Sequence, residues 1–382
     1  MKTIYKATAF LFAVLTFFSY CPVVFAENDL PFDVNAKSAV LMEATTGTVL
    51  YSKNADEPLP PASVTKVMTL LLVMESVDSG ALTLDEKISV SEYAASMGGS
   101  QVFLEPGEQM SAEELIKCVV IASANDAAVT LAERIAGSET AFVAMMNERA
   151  VSLGLKNSRF ENVTGLDDDT VDHVMSANDI AVISRELLKH RKILEFSKTW
   201  MDSIRNGAFG LTNTNRLIRF YNGATGLKTG STSKAKFCIS ATAERDGMHL
   251  IAVIMGSDTR DTRNEAAKQL LDWGFATYCL YKNDGGKVGD VKVIGGKKER
   301  VDATCPSVVM LLPKSKQGTI VPEYLFDNDI TAPLKTGDKV GEVRYVSGDD
   351  VLSNAPITVS ESVERVGFFD VLIGVLKSMI LK

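Results

Sequence analysis

Strand-like segments flank a long helical stretch in the first 280 residues of this sequence. Short apolar runs beside turn residues lie at 39–43 and 48–51, before that stretch, and at 237–243 and 248–255, after it. Between them, apolar residues recur at helical spacing and several segments end at glycine. This order of strands, helices and strands, with one more helical pattern at 263–273, predicts an α+β domain.

The composition changes near Tyr281, and a smaller domain is predicted to follow. Residues 283–286 resemble a linker, and the segments from 287 to 359 are short, β-rich and separated by turns. None of these segments carries an evident catalytic arrangement. We therefore expect a first domain at 27–282 and a small all-β domain at 283–363.

Residues 1–26 have the pattern of a secretory signal peptide. Two lysines precede an almost wholly apolar run at 7–20, and Val24 and Ala26 are small residues at the expected cleavage positions. The run is shorter than the about 20 residues that a membrane-spanning helix needs. Cleavage and export are therefore favoured over an uncleaved N-terminal anchor.

The charge of the mature chain disfavours nucleic acid as a partner. The whole sequence has 40 basic and 48 acidic residues. The signal peptide contains two of the lysines and no acidic residue, so its removal leaves 38 basic residues and a net charge of −10. Phosphate backbones are bound by basic surfaces, so we predict no nucleic-acid binding.

The cysteines of the mature chain predict buried thiols rather than a metal site. No CxxC pair or other metal-ligand spacing connects them, so neither a metal ion nor another cofactor is predicted. Export would permit a disulfide, and that alternative stays open. The four residues are Cys118, Cys238, Cys279 and Cys305.

The last segment, 364–382, predicts an amphipathic helix at a membrane surface. At about 1.5 Å per residue, 366–381 would extend only about 24 Å, and two of its residues are charged. An interfacial helix fits this pattern better than a spanning one, and a helix packed on the protein's own surface is the alternative. The apolar face would carry Phe368, Leu372, Val375, Leu376, Met379 and Ile380.

Ser63 and Lys66 are the strongest candidates for a catalytic pair. A serine hydroxyl needs a base before it can act as a nucleophile. Ser63 begins a helical pattern that continues to Met74, and Lys66 lies one turn further on, so its amine would lie over the hydroxyl. A buried lysine close to other cations can lose its proton and serve as the base. The start of a helix also suits a developing oxyanion.

A histidine-based triad is disfavoured. The chain has only His173, His190 and His249, and it lacks a G-x-S-x-G sequence. His190 ends a charged helix turn, and His249 lies within a strand pattern. Lysine is therefore the better candidate for the base.

Three short motifs become specific when they are taken together and in order. Each of them occurs more than once in the chain, so none is decisive alone. The ordered set is Ser63-Val64-Thr65-Lys66 at a helix start, Ser123-Ala124-Asn125 in a break between helices, and Lys228-Thr229-Gly230 on a strand.

This set resembles the penicillin-binding-protein and β-lactamase superfamily. Residues 34–365 are similar, more narrowly, to the low-molecular-mass D-alanyl-D-alanine carboxypeptidases of peptidase family S11. The resemblance implies a β-lactamase/transpeptidase-like catalytic domain, with an antiparallel sheet and a helical cluster, before the small all-β domain and the amphipathic helix. Supporting stretches are Pro61-Ala62-Ser63, Gly165-Leu166, Gly226-Leu227 and Ala241-Thr242-Ala243.

The resemblance also implies an activity and its partners. The substrate would be the D-Ala-D-Ala end of peptidoglycan stem peptides, and penicillins and other β-lactams would inhibit the enzyme. The protein would act on the outer face of the bacterial cytoplasmic membrane, held there peripherally by its C-terminal helix.

The first two motifs would then supply the reacting groups. Ser63 would attack the carbonyl of the penultimate D-alanine, and Lys66 would take the hydroxyl proton. Ser123 would pass a proton to the departing D-alanine. Asn125 would bind the substrate amide and hold Lys66.

The third motif would bind the substrate. Lys228 would keep Lys66 neutral and attract the terminal carboxylate, which Thr229 would bind. Gly230 completes the motif, and the N–H of Ser231 would form the oxyanion hole together with that of the nucleophile. Arg263 lies where the family has an arginine suited to a carboxylate, and a surface helix arginine is the alternative.

Two segments depart from the family pattern. Lys236 stands where relatives usually have glycine, which is expected to perturb the edge of the site. The stretch from His173 to Ala177 replaces a more usual threonine-rich version.

Other functions of the same fold remain open at this point. A β-lactamase would need a deacylating base, and the E-x-x-L-N motif that carries it in class A enzymes is absent from 150–190. An endopeptidase that cuts cross-links is weakly disfavoured by a carboxylate-reading arginine. An inactive wall-binding scaffold is disfavoured because the motif set is intact.

Overall fold

A computed structural model describes residues 30–168 and 170–380 of the chain. The signal peptide predicted at 1–26 and the last two residues of the predicted tail lie outside the described residues. The strands of the first part are β1 (Ser38–Glu43), β2 (Val49–Lys53), β3 (Lys87–Ser89), β4 (Gln109–Ser111), β5 (Met201–Ile204), β6 (Phe209–Thr212), β7 (Ala224–Thr232), β8 (Lys236–Arg245) and β9 (Met248–Ser257).

The helices of the same part separate these strands. A 3-10 helix (Ala62–Thr65) leads directly into α1, and a π-helix (Cys118–Ala122) follows α3. The α-helices are α1 (Lys66–Asp78), α2 (Glu92–Ala95), α3 (Ala112–Lys117), α4 (Asn125–Ala136), α5 (Glu139–Ser152), α6 (Ala177–Lys189), α7 (Ile193–Ser197), α8 (Leu217–Phe220) and α9 (Arg260–Thr277).

The central sheet separates two hydrophobic cores. Its order is β2-β1-β9-β8-β7, and all neighbouring strands are antiparallel. Because successive strand residues point to opposite faces, Val40 and Met42 of β1 pack with the helical cluster, while Ala39 and Leu41 pack in the core shared with α9. The predicted α+β fold with an antiparallel sheet is confirmed.

Helix α1 runs through the centre of the helical cluster. Its residues from Lys66 to Met74 are all buried. A helix that is apolar on every side belongs in a protein interior, and α1 packs against α4, α5 and α6. The fold therefore carries Lys66 into a dry environment.

The C-terminal part forms a separate, β-rich core, as predicted. A five-stranded antiparallel sheet has the order β11-β12-β16-β15-β14, and β10 pairs with β13. Strand pairing within this part begins at Tyr278, before the predicted boundary at 283. The elements are β10 (Tyr278–Asn283), β11 (Gly286–Lys292), β12 (Arg300–Cys305), β13 (Val308–Pro313), β14 (Val321–Phe326), β15 (Lys339–Ser347), β16 (Asp350–Val359) and α10 (Phe368–Ile380).

Helix α10 exposes its apolar side chains. Phe368 is 76% exposed and Leu372 is 43% exposed, so the alternative of a helix packed on the protein's own surface is not supported. No helix among residues 30–168 and 170–380 is both long and apolar enough to cross a membrane. The exposed apolar side chains are those of Phe368, Phe369, Val371, Leu372, Ile373, Leu376 and Met379.

The four cysteines are free thiols. Cys118, Cys238 and Cys305 are buried, and Cys279 is partly buried. Within the described part of the chain, no three His, Cys, Asp or Glu side chains are grouped so that they could hold a metal ion.

Candidate active site

The amine of Lys66 has three close partners. Nζ lies 2.9 Å from Ser63 Oγ, 2.6 Å from Asn125 Oδ1 and 2.8 Å from the carbonyl oxygen of Thr164. Two of these partners can only accept a hydrogen bond, whereas a hydroxyl can also donate. A neutral amine has two N–H donors and one lone pair. It therefore satisfies all three partners when its lone pair accepts the Ser63 hydroxyl proton.

Burial favours that neutral form. Lys66 is fully buried, and burial, followed by the charge of Lys228, holds the pKa of Lys66 well below the usual lysine range, against the opposing carboxylate of Asp126. Ser63 itself is only partly buried. The geometry thus joins a partly accessible hydroxyl to a base whose burial favours the deprotonated form.

Asn125 is held so that its oxygen faces the base. Its Nδ2 donates to the carbonyl of Gly98 at 2.7 Å, which fixes the amide orientation and leaves Oδ1 for Lys66. Its backbone N–H donates to the carbonyl of Ser100 at 2.7 Å. The loop from 98 to 104 therefore forms one wall of the site.

A charged clamp that the sequence did not reveal holds this wall in place. The buried carboxylate of Asp126 accepts the N–H groups of Val102 and Leu104, each at 3.1 Å. Arg205 donates to the carbonyls of Val102 and Phe103, each at 3.0 Å. The clamp holds Phe103 at φ +55°, in the left-handed region, with a side chain that is 64% exposed.

Ser123 and Lys228 form the second pair of the site. Ser123 follows the π-helix with φ +63°, a left-handed conformation that interrupts the helix and turns the hydroxyl toward β7. Lys228 Nζ donates to Ser123 Oγ at 2.8 Å and to the carbonyl of Thr229 at 2.9 Å. The three predicted motifs therefore meet at one place, although 60 and 105 residues separate them in the chain.

The surroundings of Lys228 lower the pKa of its amine. Burial, and then the positive charge of Arg263, lower the pKa of Lys228 to about 7. Arg263 is 3% exposed and donates to the carbonyl of Cys238 at 3.3 Å, so the alternative of a surface helix arginine is wrong. Its hydrogen bonds go to Cys238 and Asn264. The guanidinium of Arg263 is thus buried against Cys238 and Asn264, and its positive charge contributes to the lowered pKa of Lys228.

Strand β7 passes directly over the nucleophile turn at Gly230. A Cβ atom at Gly230 would lie 2.8 Å from the nitrogen of Ser63 and 2.9 Å from the carbonyl oxygen of Pro61. Only glycine permits this approach. It brings the backbone beside Ser231 close to that of Ser63, where an oxyanion hole formed by both N–H groups is expected.

Several site contacts come from residues that sequence reasoning missed. The carbonyl of Thr164 binds the base, and the hydroxyl of Thr229 donates to Thr214 Oγ1 at 2.8 Å. A backbone carbonyl can accept a hydrogen bond whatever the side chain of its residue is. The sequence therefore gave no indication of Thr164 beyond the neighbouring Gly165-Leu166. Thr214 lies in a loop without a recognisable motif.

The departure at Lys236 has a local cost in backbone strain. Lys236 has φ +57°, a conformation that glycine adopts freely and other residues rarely adopt. It begins β8 beside the turn that follows β7. Lys236 pairs with Thr232, two residues after Gly230, so the departure lies at the edge of the site and outside the three motifs.

Two family models match this chain. One, described as D-alanyl-D-alanine carboxypeptidase of peptidase family S11, matches residues 24–259. The other, the C-terminal domain of penicillin-binding protein 5, matches residues 275–365. Together they span both domains.

Individual proteins are similar over most of their length. The D-alanyl-D-alanine carboxypeptidase DacF of Bacillus subtilis is 42% identical over 366 residues, which are 93% of each chain. Penicillin-binding protein 5 from Haemophilus influenzae is 30% identical, with a TM-score of 0.76 over 88% of this chain and 99% of that one. Penicillin-binding protein D2 from Listeria monocytogenes, solved in its ampicillin-bound form, is 32% identical, with a TM-score of 0.58 over 63% and 98%.

The charge arrangement predicts a lysine that titrates near neutral pH. In protein labelled at the lysine side chains, the NMR signal of Lys228 Nζ should titrate at about 7. Arg263→Gln should raise this pKa, because it removes the cation that is its second cause. Arg260→Gln, at an exposed position of the same helix, is the matched control and should leave the pKa of Lys228 unchanged. Titration of Lys228 near 10 in the unmodified protein would contradict the arrangement.

Proposed function

The chain belongs to the D-alanyl-D-alanine carboxypeptidase family, peptidase family S11, and we propose that it works as a serine-type enzyme in which Ser63 forms an acyl intermediate with a peptidoglycan stem peptide. Its activity is that of a D-alanyl-D-alanine carboxypeptidase. The observation that carries the serine mechanism is the buried amine of Lys66, 2.9 Å from the Ser63 hydroxyl.

Acylation uses the pair of Ser63 and Lys66 together with Ser123. Ser63 Oγ attacks the carbonyl carbon of the penultimate D-alanine while its proton passes to the lone pair of Lys66. The carbonyl oxygen gains negative charge, which the N–H groups of Ser63 and Ser231 stabilise. When the C–N bond breaks, the nitrogen of the leaving D-alanine takes a proton from Ser123.

Lys228 supports this proton transfer by its contact with Ser123. The 2.8 Å hydrogen bond holds the Ser123 oxygen, and the positive charge stabilises that oxygen while it gives up its proton. Lys66, now protonated, returns a proton to Ser123. A water molecule then attacks the ester carbonyl and gives a proton to neutral Lys66. The ester C–O bond breaks, Lys66 returns that proton to Ser63 Oγ, and the shortened peptide leaves.

The terminal carboxylate is read by the β7 end of the site. Lys228 provides a cation, and Thr229 provides a hydroxyl whose single proton, donated to Thr214 in the free enzyme, turns to the carboxylate when substrate binds. Arg263 adds a further positive charge. A free carboxylate also keeps Lys228 protonated, because an opposite charge favours the charged form of a lysine. Substrate binding and the charge state of Lys228 therefore reinforce each other.

The ampicillin-bound structure of the Listeria monocytogenes relative supports a second class of ligand. A β-lactam carries a reactive amide and a nearby carboxylate, so it presents to Ser63 and Lys228 the groups that the peptide end presents. We infer that β-lactams acylate Ser63.

We also propose that the protein is exported and held at the outer face of the cytoplasmic membrane. The pattern of residues 1–26 supports export. The exposed apolar side chains of α10 support peripheral contact with a lipid surface, since they leave a large apolar patch without a protein partner among the described residues.

The nucleophile can be identified by labelling. Labelled penicillin should attach to Ser63, and Ser63→Ala should lose both the label and the release of D-alanine from diacetyl-Lys-D-Ala-D-Ala. Ser233→Ala is the matched control, because Ser233 also has a lysine three residues later but is exposed. Label that persists in Ser63→Ala would refute the assignment.

Carboxylate reading can be measured with a pair of peptides. A charge-assisted hydrogen bond contributes about 1.5–3 kcal/mol, and about 1.4 kcal/mol corresponds to tenfold. A D-Ala-D-Ala peptide whose terminal carboxylate is amidated should therefore show a kcat/KM roughly 10- to 100-fold lower than the acid. Thr229→Val should reduce this ratio. If the acid and the amide are cleaved equally fast, the endopeptidase alternative gains support.

The role of the tail can be tested by truncation. Removal of 366–382 should release an active enzyme from membranes. Leu372→Asp with Leu376→Asp keeps the chain length and should have the same effect, because it places charges within the apolar surface. Fractionation of cells expressing each variant measures the result. A truncated, signal-cleaved protein that remains on membranes would show that the anchor lies elsewhere.

A further inference from the structure

A buried chain of hydrogen bonds connects His173 to the turn that carries Ser63. His173 Nδ1 lies 3.0 Å from the backbone nitrogen of Glu161, and Nε2 lies 2.8 Å from Thr65 Oγ1. Thr65 Oγ1 in turn lies 2.9 Å from the carbonyl oxygen of Ala62. His173, Thr65 and Ala62 are all buried. The mechanism derived above uses none of these three groups.

Each bond in this chain has only one possible direction. The backbone N–H of Glu161 donates, so Nδ1 of His173 must accept. The carbonyl of Ala62 accepts, so the Thr65 hydroxyl must donate its single proton to it. Thr65 Oγ1 can then only accept from His173, which requires the proton to be on Nε2. The surroundings therefore select a single neutral tautomer.

Burial keeps the imidazole in this neutral state. It lowers the pKa of His173 to about 4, against the opposing carboxylates of Glu161 and Asp167. The edge-to-face contact with Phe160, at 6.0 Å between ring centroids, also fixes the ring. The histidine is thus a stationary donor at neutral pH.

The last acceptor in this series of hydrogen bonds is the carbonyl of Ala62. It belongs to the same peptide group as the N–H of Ser63. A trans peptide is planar, so its C=O and N–H point in opposite directions. A Cβ at Gly165 would lie 1.8 Å from the Ala62 oxygen, and a Cβ at Gly230 would lie 2.8 Å from the Ser63 nitrogen. The oxygen therefore faces the loop that carries His173, and the nitrogen faces β7.

This peptide group needs support because Ala62 is strained. Ala62 has φ +50°, in the left-handed region that a residue with a Cβ rarely adopts. Without a partner for its carbonyl, the peptide could relax toward a commoner conformation and turn the Ser63 N–H away from β7. The Thr65 hydroxyl holds it, and His173 fixes that hydroxyl.

We propose that His173 is a positioning residue for the oxyanion hole, acting through Thr65 and the Ala62 carbonyl to aim the Ser63 N–H at the developing oxyanion. The inference rests on Ser63 being the nucleophile. It predicts that breaking these hydrogen bonds lowers the rate of the chemical step rather than the affinity for substrate, because the oxyanion forms only after attack.

Two substitutions separate the two nitrogens of the imidazole. His173→Gln can keep a donor near the Nε2 position, and His173→Asn can keep an acceptor near the Nδ1 position while it loses the donor. Loss of one oxyanion donor lowers kcat by about 10²–10³-fold, so misorientation in His173→Asn should lower kcat by roughly 10- to 100-fold. His173→Gln should be at least about tenfold more active than His173→Asn. KM should change less than kcat in both.

The same contrast can be made at Thr65, which keeps the test decisive if the histidine variants fold poorly. Thr65→Val removes the hydroxyl and should lower kcat as much as His173→Asn does. Thr65→Ser keeps the hydroxyl and should lower kcat less. The double variant His173→Asn/Thr65→Val should have a kcat no lower than that of either single variant, because both substitutions interrupt the same series of hydrogen bonds. His190→Asn, at the end of α6, is the matched histidine control and should keep full activity.

Acylation by labelled penicillin gives the rate constant and the binding constant separately, and thermal unfolding of each variant reports its stability. Equal acylation rates in His173→Gln and His173→Asn, at equal stability, would overturn the proposal. So would a loss confined to the binding constant. Ser63→Ala is measured alongside: if it is still acylated, it is the nucleophile assignment that fails.

Discussion

The site depends on one constraint, the burial of a lysine amine in an apolar helical cluster. Taking an ammonium out of water is costly, and the amine avoids that cost by giving up its proton. Lys66 is buried because α1 is apolar on every side and fills the middle of the cluster. The fold therefore produces the base by packing, and the hydroxyl one turn earlier receives a partner that can take its proton.

Such an amine must still find partners, and the chain supplies them from distant segments. Asn125 comes from the start of α4, and the carbonyl of Thr164 comes from a loop 98 residues after the lysine. That loop also carries His173, which supports the nucleophile turn from the opposite side. A single loop thus holds the base through one backbone carbonyl and the nucleophile through one side chain. This shared support explains the close packing at Gly165.

The elements of the site could be predicted from the sequence where their signals were local. Ser63 and Lys66 lie within one turn, so their contact follows from helical spacing. The spacing did not distinguish a 3-10 turn at Ser63 from the first turn of α1.

The sequence by itself therefore determined the kinds of elements, each of the three motifs and the proposed catalytic pair, because each of these depends on residues close together in the chain. Only the tertiary structure decided which other groups complete the site. The Asp126 and Arg205 clamp, the hydroxyl of Thr214 and the tautomer of His173 arise from contacts between residues far apart in sequence. Arg263 is buried because α9 packs on the sheet, and no spacing within its own helix indicates this. Contacts of this kind exist only once the chain has packed.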